Sequence, residues 1–269
     1  MNYEEEGTGL SDHPVGENPT ASPARARADD ATANPASTPP PEQGKGSPND
    51  SPESHIQARR DRAYVRYHEA GHALVATAYW FPLWHISIRP SARSEGRIAA
   101  TLMKPDDVHS GPSWHDRVRA TQAIEVLLAG PAAQTIWIAG GYHRNRTPDR
   151  LWGLFKETAQ GQPDLSRAEE LARAISYSRT EGNHLVTHLS WRILGRFCAQ
   201  PKLWRLVSVL AEVLLVHEEL PGYQAGWVLL QALHGRSLAS ILKRLPERLG
   251  TAPRSPMANL SQKLTDLMR

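Results

Sequence analysis

The sequence predicts a mainly α-helical fold with a small β-sheet, in the α+β class. Helical periodicity is clearest at residues 61–80, where apolar side chains recur three and four positions apart and no proline interrupts them. The second observation is the segment 84–89, in which apolar and polar residues alternate as they do in a half-buried strand. The third is a series of segments of helical character after residue 164.

The elements of the N-terminal half follow from these patterns. We expect the first helix at about residues 61–80. The strand at 84–89 can pair with residues 97–103 as a hairpin. A helix begins near residue 114, reaches about residue 128 and can continue past Gly130 and Pro131.

The C-terminal half is predicted to be almost wholly helical. Residues 140–163, which precede it, are expected to be irregular. The predicted helices span about residues 164–180, 185–199, 202–218, 222–234 and 237–246.

Composition divides the chain of 269 residues into three parts. Residues 1–58 hold nine prolines, and ten acidic residues against three basic ones. Their few large apolar side chains cannot offset the entropy lost on folding, so we expect a disordered acidic tail. Residues 59–247 suit one domain with a sizeable core, and residues 248–269 are predicted to form a polar C-terminal tail.

Several functional classes have no support in the sequence. The best apolar run, at residues 206–216, is shorter than the roughly 18 residues that a membrane span requires. The chain lacks a signal-peptide core, and Cys198 is its sole cysteine, so we expect a cytoplasmic protein without an intrachain disulfide. It has neither a GxxxxGK[ST] phosphate loop nor a nucleic-acid recognition motif.

His68, Glu69 and His72 form the motif HExxH. Residues four apart face the same side of a helix, so both imidazoles can bind one metal ion, and Glu69 is placed to take a proton from water. This is the minimal machinery of a zinc metallopeptidase, on a zincin-type active-site helix. A role in packing alone is the alternative for the two histidines. Glycine at position 71 destabilises a helix by up to ~1 kcal/mol relative to alanine. Its presence there is explained if another backbone approaches the helix too closely for a side chain.

A zinc site of this kind needs a third protein ligand. The extended motif HExxHxxGxxH is absent, which excludes the metzincin class. Glu95 stays open as a ligand, although it lies in a predicted hairpin turn. Asp164 is the better candidate, because we expect it at a helix N-cap, where its carboxylate could bind a metal or act only as the cap. Glu169 and Glu170 are the next candidates.

Four stretches resemble, in order, the peptidase domain of the FtsH family (M41) of metallopeptidases. YHEAGHALVA at 67–76 is similar to the active-site helix of that family, and WHISIRP at 84–90 resembles the strand that follows it. LLAGPAAQ at 127–134 resembles the family's LLGGRAAE segment. DLSRAEELARAI at 164–175 resembles the segment that supplies an aspartate as the third zinc ligand. The resemblance covers about residues 58–245.

The resemblance implies an FtsH peptidase-like helical domain that binds Zn²⁺ through His68, His72 and Asp164. It also implies a hexameric assembly that works with an AAA+ ATPase. The ATPase and the membrane anchor of that family do not occur in this sequence. Pro131 and Gln134 stand where the family has arginine and glutamate.

We therefore predict a zinc-dependent metalloendopeptidase in which Glu69 is the general base. Its substrates would be unfolded or flexible protein segments, which could add to a sheet edge beside the metal through backbone hydrogen bonds. Two alternatives stay open. One is a non-catalytic zinc-binding module with a regulatory or scaffold role, and the other is a peptidase that is active only with a separate ATPase partner.

Overall fold

Helix α1 is the central element of the computed structural model, which describes residues 52–89, 97–108, 112–143, 146–245 and 255–269. These residues belong to one structural unit. The elements, in chain order, are α1 (Pro52–Ala78), β1 (Leu83–Ser87), β2 (Arg97–Ala100), a 3-10 turn (Pro105–Asp107), α2 (Trp114–Ile138), α3 (Pro148–Ala159), α4 (Pro163–Ile175), α5 (Arg179–Ala199), α6 (Pro201–His217), β3 (Glu219–Pro221), α7 (Gly222–Leu233), α8 (Leu238–Arg244) and α9 (Ser255–Met268). The predicted class, mainly helical with a small sheet, is confirmed.

Helices α1 and α2 pack against each other in antiparallel orientation. The Gln134 side chain, late in α2, contacts the Tyr64 carbonyl in α1, whereas Glu125 contacts Tyr79, just after the end of α1. The two backbones approach closely at Gly71, where an added Cβ would lie 2.5 Å from the Ala129 carbonyl oxygen. The prediction that Gly71 admits a neighbouring backbone is therefore confirmed.

Helix α2 begins at a capping box and continues through a proline. The Ser113 hydroxyl accepts a hydrogen bond from the Asp116 amide, and the Asp116 carboxylate accepts one from the Ser113 amide. The helix then runs past Pro131 to Ile138, as the sequence allowed. Proline removes one helical hydrogen bond, and a fully buried environment on both sides of Pro131 holds the helix together there.

The sheet has the strand order β2-β1-β3 and is antiparallel throughout. The pairing of β1 with β2 confirms the predicted hairpin, while β3 was not predicted. The alternation over residues 84–89 predicts that Trp84, Ile86 and Ile88 share the buried face. Ile86 and Ile88 are buried, but the expectation is wrong for Trp84, which is 67% exposed. A register shift between Leu83 and His85 interrupts the alternation at that point.

Two predicted irregular segments contain helices. Residues 140–163 were expected to be irregular, yet α3 forms there and buries Leu151 and Phe155. The predicted polar tail is wrong for residues 255–269, because α9 packs against α1 and α7. Its buried apolar positions, four residues apart, are Leu260, Leu264 and Met268.

The beginning of α1 also differs from the prediction. The helix begins at Pro52, about nine residues before the expected start, so it crosses the predicted boundary between tail and domain. The rest of the predicted acidic tail, residues 1–51, and the hairpin turn with Glu95 lie outside the described residues. In the described part of the chain, no helix combines the length and apolar character needed to cross a bilayer.

Candidate metal centre

His68 and His72 lie one turn apart on α1 and direct their imidazoles to the same point. Their Nε2 atoms are 2.8 Å apart. The rings meet edge to face, with centroids 4.4 Å apart. His72 is only 3% exposed and His68 is partly exposed, so one edge of the pair reaches the surface. The i, i+4 spacing of the motif thus places two nitrogen ligands together, as its helical geometry requires.

Asp164 completes the group from α4. Its Oδ2 atom lies 2.9 Å from His68 Nε2 and 3.2 Å from His72 Nε2. The prediction that Asp164 is the helix N-cap is wrong: Gln162 is the N-cap, and Asp164 lies one residue after Pro163 in the first turn. Proline favours the first helical position, which places the cap two residues before the predicted one and leaves the Asp164 side chain free to face the imidazoles.

The other candidate ligands do not join this group. Within the described residues, His68, His72 and Asp164 form the one cluster of three ligand side chains close enough to share an ion. Glu169 and Glu170 lie further along α4 and are not members of it. Glu95 falls outside the described residues.

A backbone carbonyl of α2 orients His72. His72 Nδ1 donates a hydrogen bond to the Val126 carbonyl, at 2.6 Å. Because a carbonyl can only accept, Nδ1 carries the proton, and in the neutral ring the Nε2 lone pair faces Asp164 and His68. A hydrogen bond at the second ring nitrogen is the usual companion of a metal-binding histidine. His68 Nδ1 is buried and has no such partner within the described residues.

Gly130 of α2 closes one side of the site. An added Cβ would lie 2.4 Å from His72 Nε2 and 2.8 Å from His68 Cε1. A side chain of any size there would press on both imidazoles. Sequence reasoning did not identify Gly130 or Val126 as site residues. The run of small residues around Gly130 was the available signal for the first, and a backbone carbonyl leaves no signal for the second.

The charges of the site are strongly coupled. Although burial would raise the pKa of Asp164, the two imidazoles beside it hold that pKa far below its usual range. Burial disfavours the charged form of His72, but the neighbouring Asp164 carboxylate outweighs it and raises the pKa of the imidazole. Asp164 is therefore ionised at neutral pH, as a carboxylate that binds a metal must be.

Glu69 is buried behind the two histidines, with 4% of its surface exposed. Its Oε2 atom is fully enclosed and has no hydrogen-bond partner within the described residues. Burial raises the pKa of the Glu69 carboxyl to about 8; His68 opposes this shift and Asp164 adds to it. A buried carboxyl oxygen without a partner is unusual unless another group completes its environment.

Gln162 ties the start of α4 to neighbouring helices. Its side-chain amide donates to the Gln134 Oε1 atom at 3.0 Å and to the Thr158 carbonyl at 2.7 Å, and it lies 3.2 Å from the Tyr64 hydroxyl. Gln134 therefore contacts the segment that carries Asp164. These contacts hold the N-terminus of α4 in place at Gln162, two residues before Asp164.

The donor set fits a metal ion. It offers two imidazole nitrogens and one carboxylate oxygen, separated by 2.8–3.2 Å. A tetrahedral ion with bonds of about 2.1 Å spaces its ligand atoms roughly 3.4 Å apart, so shifts of a few tenths of an ångström would seat it. The unpartnered oxygen of Glu69 beside the group agrees with an additional occupant. The His68–His72–Asp164 group can thus hold a metal ion.

Comparison with protein-family models and with curated proteins gives no match for this chain. The inference of function consequently rests on the residues of the site and on their geometry.

Proposed function

We propose that this chain is a zinc-dependent metalloendopeptidase of the FtsH peptidase type. The observation that carries the proposal is the convergence of His68, His72 and Asp164 with Glu69 buried beside them. The two histidines and Glu69 come from one turn of α1, whereas Asp164 comes from a helix that begins about ninety residues later. A packing role for the histidines does not explain why a carboxylate oxygen meets both of them.

Zinc is the metal that best suits these ligands. Two neutral imidazoles and one carboxylate are a common set of three protein ligands in catalytic zinc sites, which leave a further position open. Harder ions such as Mg²⁺ and Ca²⁺ prefer sites made of oxygen ligands alone. The partly exposed His68 and Asp164 side chains leave the group accessible from one side, as substrate entry requires.

Glu69 would carry the proton in the reaction. Zinc in this site would supply polarisation of a water molecule and of a peptide carbonyl, with the pKa of the water lowered towards ~7. The Glu69 carboxylate accepts the proton from that water and then delivers it to the leaving amine. Without metal, burial raises the pKa of Glu69 to about 8. The positive charge of a bound Zn²⁺ would favour the ionised carboxylate, which is the form that a general base requires.

Other groups of the site hold these residues in place. Val126 orients His72 through its carbonyl, and Gln162 anchors the first turn of α4. Substrates would be unfolded or flexible segments of proteins, because only an extended chain can bring a peptide bond up to the partly exposed side of this group. A non-catalytic zinc module is disfavoured by Glu69, whose buried carboxyl costs stability and would have no use there.

The test is hydrolysis of an unfolded protein such as casein. Wild-type protein with zinc should cleave it, a chelator should stop cleavage, and added zinc should restore it. Glu69→Gln should retain zinc and lose activity by orders of magnitude, because it removes the base and leaves the ligands. Equal cleavage by wild type and Glu69→Gln would refute the proposal, and a parallel preparation of His68→Ala controls for contaminating protease.

A further inference from the structure

A second polar cluster lies immediately beside the candidate metal centre and takes no part in the proposed reaction. Glu125, in the middle of α2, is fully buried. Its Oε1 atom accepts hydrogen bonds from Arg192 and Arg196 of α5, at 2.5 and 2.9 Å, and its Oε2 atom accepts one from the Tyr79 hydroxyl. Arg196 also donates to the Tyr79 hydroxyl, at 3.3 Å. We call these four residues the Glu125 cluster.

The cluster joins three helical segments, with Glu125 fully buried and Arg192 reaching the surface. Tyr79 comes directly after α1, Glu125 belongs to α2, and both arginines belong to α5. Burying a charge of this kind is costly, and replacing such pairs by apolar side chains is often neutral or stabilising. A contribution to folding stability is therefore a weak explanation for the Glu125 cluster. A set of directional bonds can instead fix one particular arrangement of helices.

The arrangement that it fixes includes the hydrogen bond to His72. Val126 follows Glu125 in the chain, and its carbonyl accepts the His72 Nδ1 proton. Tyr79 lies seven residues after His72, two turns along the same face of the chain, so both side chains face α2. A slide or rotation of α2 that broke the bonds of Glu125 would also displace the Val126 carbonyl from His72.

We infer that Glu125 is a positioning residue for the metal ligand His72. Held by Arg192, Arg196 and Tyr79, it keeps α2 in the register in which the Val126 carbonyl receives the Nδ1 proton. The Nε2 lone pair of His72 then faces His68 and Asp164. The inference rests on the metal site of the proposed function. It adds the two arginines of α5 to the residues that hold this site in place.

The test compares zinc affinity with stability in purified full-length variants. Glu125→Gln keeps the shape of the side chain and removes its charge. It should lower the zinc affinity, measured by competition with a chelating dye, by about tenfold. This is the lower end of the range for loss of an outer partner of a ligand, because Glu125 acts on His72 only through the Val126 carbonyl. The control is Ile241→Ala, a buried residue of α8, which packs on α6 and α7 away from the site. It should lower the melting temperature but leave the zinc affinity within about threefold of wild type.

A spectroscopic measurement separates positioning from general loosening. In protein labelled with ¹⁵N-histidine, long-range imidazole spectra should show His72 with a proton on Nδ1 in wild type and in Ile241→Ala. In Glu125→Gln this proton should exchange faster with solvent or shift to the other tautomer. Should Glu125→Gln fail to fold, Tyr79→Phe removes only the hydroxyl that bonds to Glu125 and Arg196, and it should weaken zinc binding several-fold.

The outcomes distinguish the two levels of the proposal. Wild-type protein that binds no zinc would overturn the proposed function and this inference together. Wild type that binds zinc, with unchanged affinity and unchanged His72 spectra in folded Glu125→Gln or Tyr79→Phe, would overturn the inference alone. An equal loss of zinc affinity in Glu125→Gln and Ile241→Ala would show that Glu125 contributes to stability only and does not position His72.

Discussion

Gly130 lies against His72 so closely that a Cβ atom added to it would be 2.4 Å from His72 Nε2. The two residues belong to different helices, α2 and α1, whose backbones are in close contact at Gly71. Gly130 is inside a helix and does not need a left-handed backbone, so its role is space. The absence of a side chain at this position lets both imidazoles turn towards Asp164.

The first prediction concerns Gly130→Ala. The added methyl group must displace the ends of His68 and His72 and not the helix backbone, because the imidazole atoms are its nearest neighbours. We expect a modest loss of stability and a loss of zinc affinity of at least about tenfold, a typical effect of misplacing a ligand. Zinc titration and thermal unfolding of the same preparation provide the two measurements.

Gly153→Ala is the matched control for that substitution. Gly153 is an exposed residue within α3, and a Cβ there would meet no atom within 4 Å. Alanine should raise the free energy of unfolding by up to ~1 kcal/mol and leave zinc binding unchanged. If Gly130→Ala binds zinc as tightly as Gly153→Ala does, the close contact between Gly130 and the imidazoles has no bearing on the site.

Residue type and spacing were sufficient to predict part of the site. The HExxH motif identified His68, Glu69 and His72, because a helix converts a spacing of four into a shared face. Asp164 could be named only through its resemblance to a family segment. Pro163 sets the start of α4, but the contact of Gln162 with Gln134 that ties this start to α2 is not encoded by any local pattern.

The features that the sequence did not predict have separate physical reasons. The Val126 carbonyl is a backbone group, so any residue type could supply it. Helix α9 did carry a signal, since Leu260, Leu264 and Met268 repeat every four residues, but polar neighbours lower the mean hydropathy of the segment. Glu125 was detectable as a charged residue within an apolar run, though its partners on α5 were not.

The second prediction concerns the pH dependence of stability without metal. Burial raises the pKa of Glu69 in the folded protein to about 8, from an ordinary value of 4.5. The folded state therefore binds the proton more tightly, and its stability relative to the unfolded state falls as the pH rises from about 4.5 to about 8. Glutamine does not titrate, so Glu69→Gln should escape this loss.

Urea unfolding in the presence of a chelator measures this effect. The difference in free energy of unfolding between Glu69→Gln and wild type should be small near pH 5. It should grow by about 1.4 kcal/mol per pH unit at most, to a few kcal/mol near pH 8. A difference that is constant between pH 5 and pH 8 would show that Glu69 does not titrate in this range.

The third prediction addresses the C-terminal helix. Leu264 of α9 is fully buried, and the Thr265 hydroxyl donates to the Ala78 carbonyl at the end of α1. Leu264→Ala should lower the free energy of unfolding by about 2–4 kcal/mol, because it leaves a cavity. Gln262→Ala, at an exposed position of the same helix, should change it by no more than about 0.5 kcal/mol. Similar stability of the two variants in urea would mean that α9 does not pack on the domain.

The last prediction separates the metal-binding role of Asp164 from its place at the start of a helix. Helices α3 and α4 begin alike: Asp149 follows Pro148 as Asp164 follows Pro163, and neither carboxylate belongs to the N-cap residue. Each aspartate interacts favourably with the positive end of its helix dipole, by about 0.3–1 kcal/mol. Asp164 alone of the two meets a pair of imidazoles.

Substitution by asparagine therefore has different consequences at the two positions. Asp149→Asn should cost a few tenths of a kcal/mol in unfolding free energy and leave zinc affinity within about threefold of wild type. Through the helix dipole, Asp164→Asn should lower the free energy of unfolding by no more than Asp149→Asn does. It should nevertheless lower zinc affinity by more than about 100-fold, because a neutral amide is a poor ligand and leaves the ion with two protein donors. Zinc titrations of both variants decide between the roles. Equal zinc affinities in Asp164→Asn and Asp149→Asn would mean that the third ligand lies elsewhere, and Glu95 would be the first residue to substitute next.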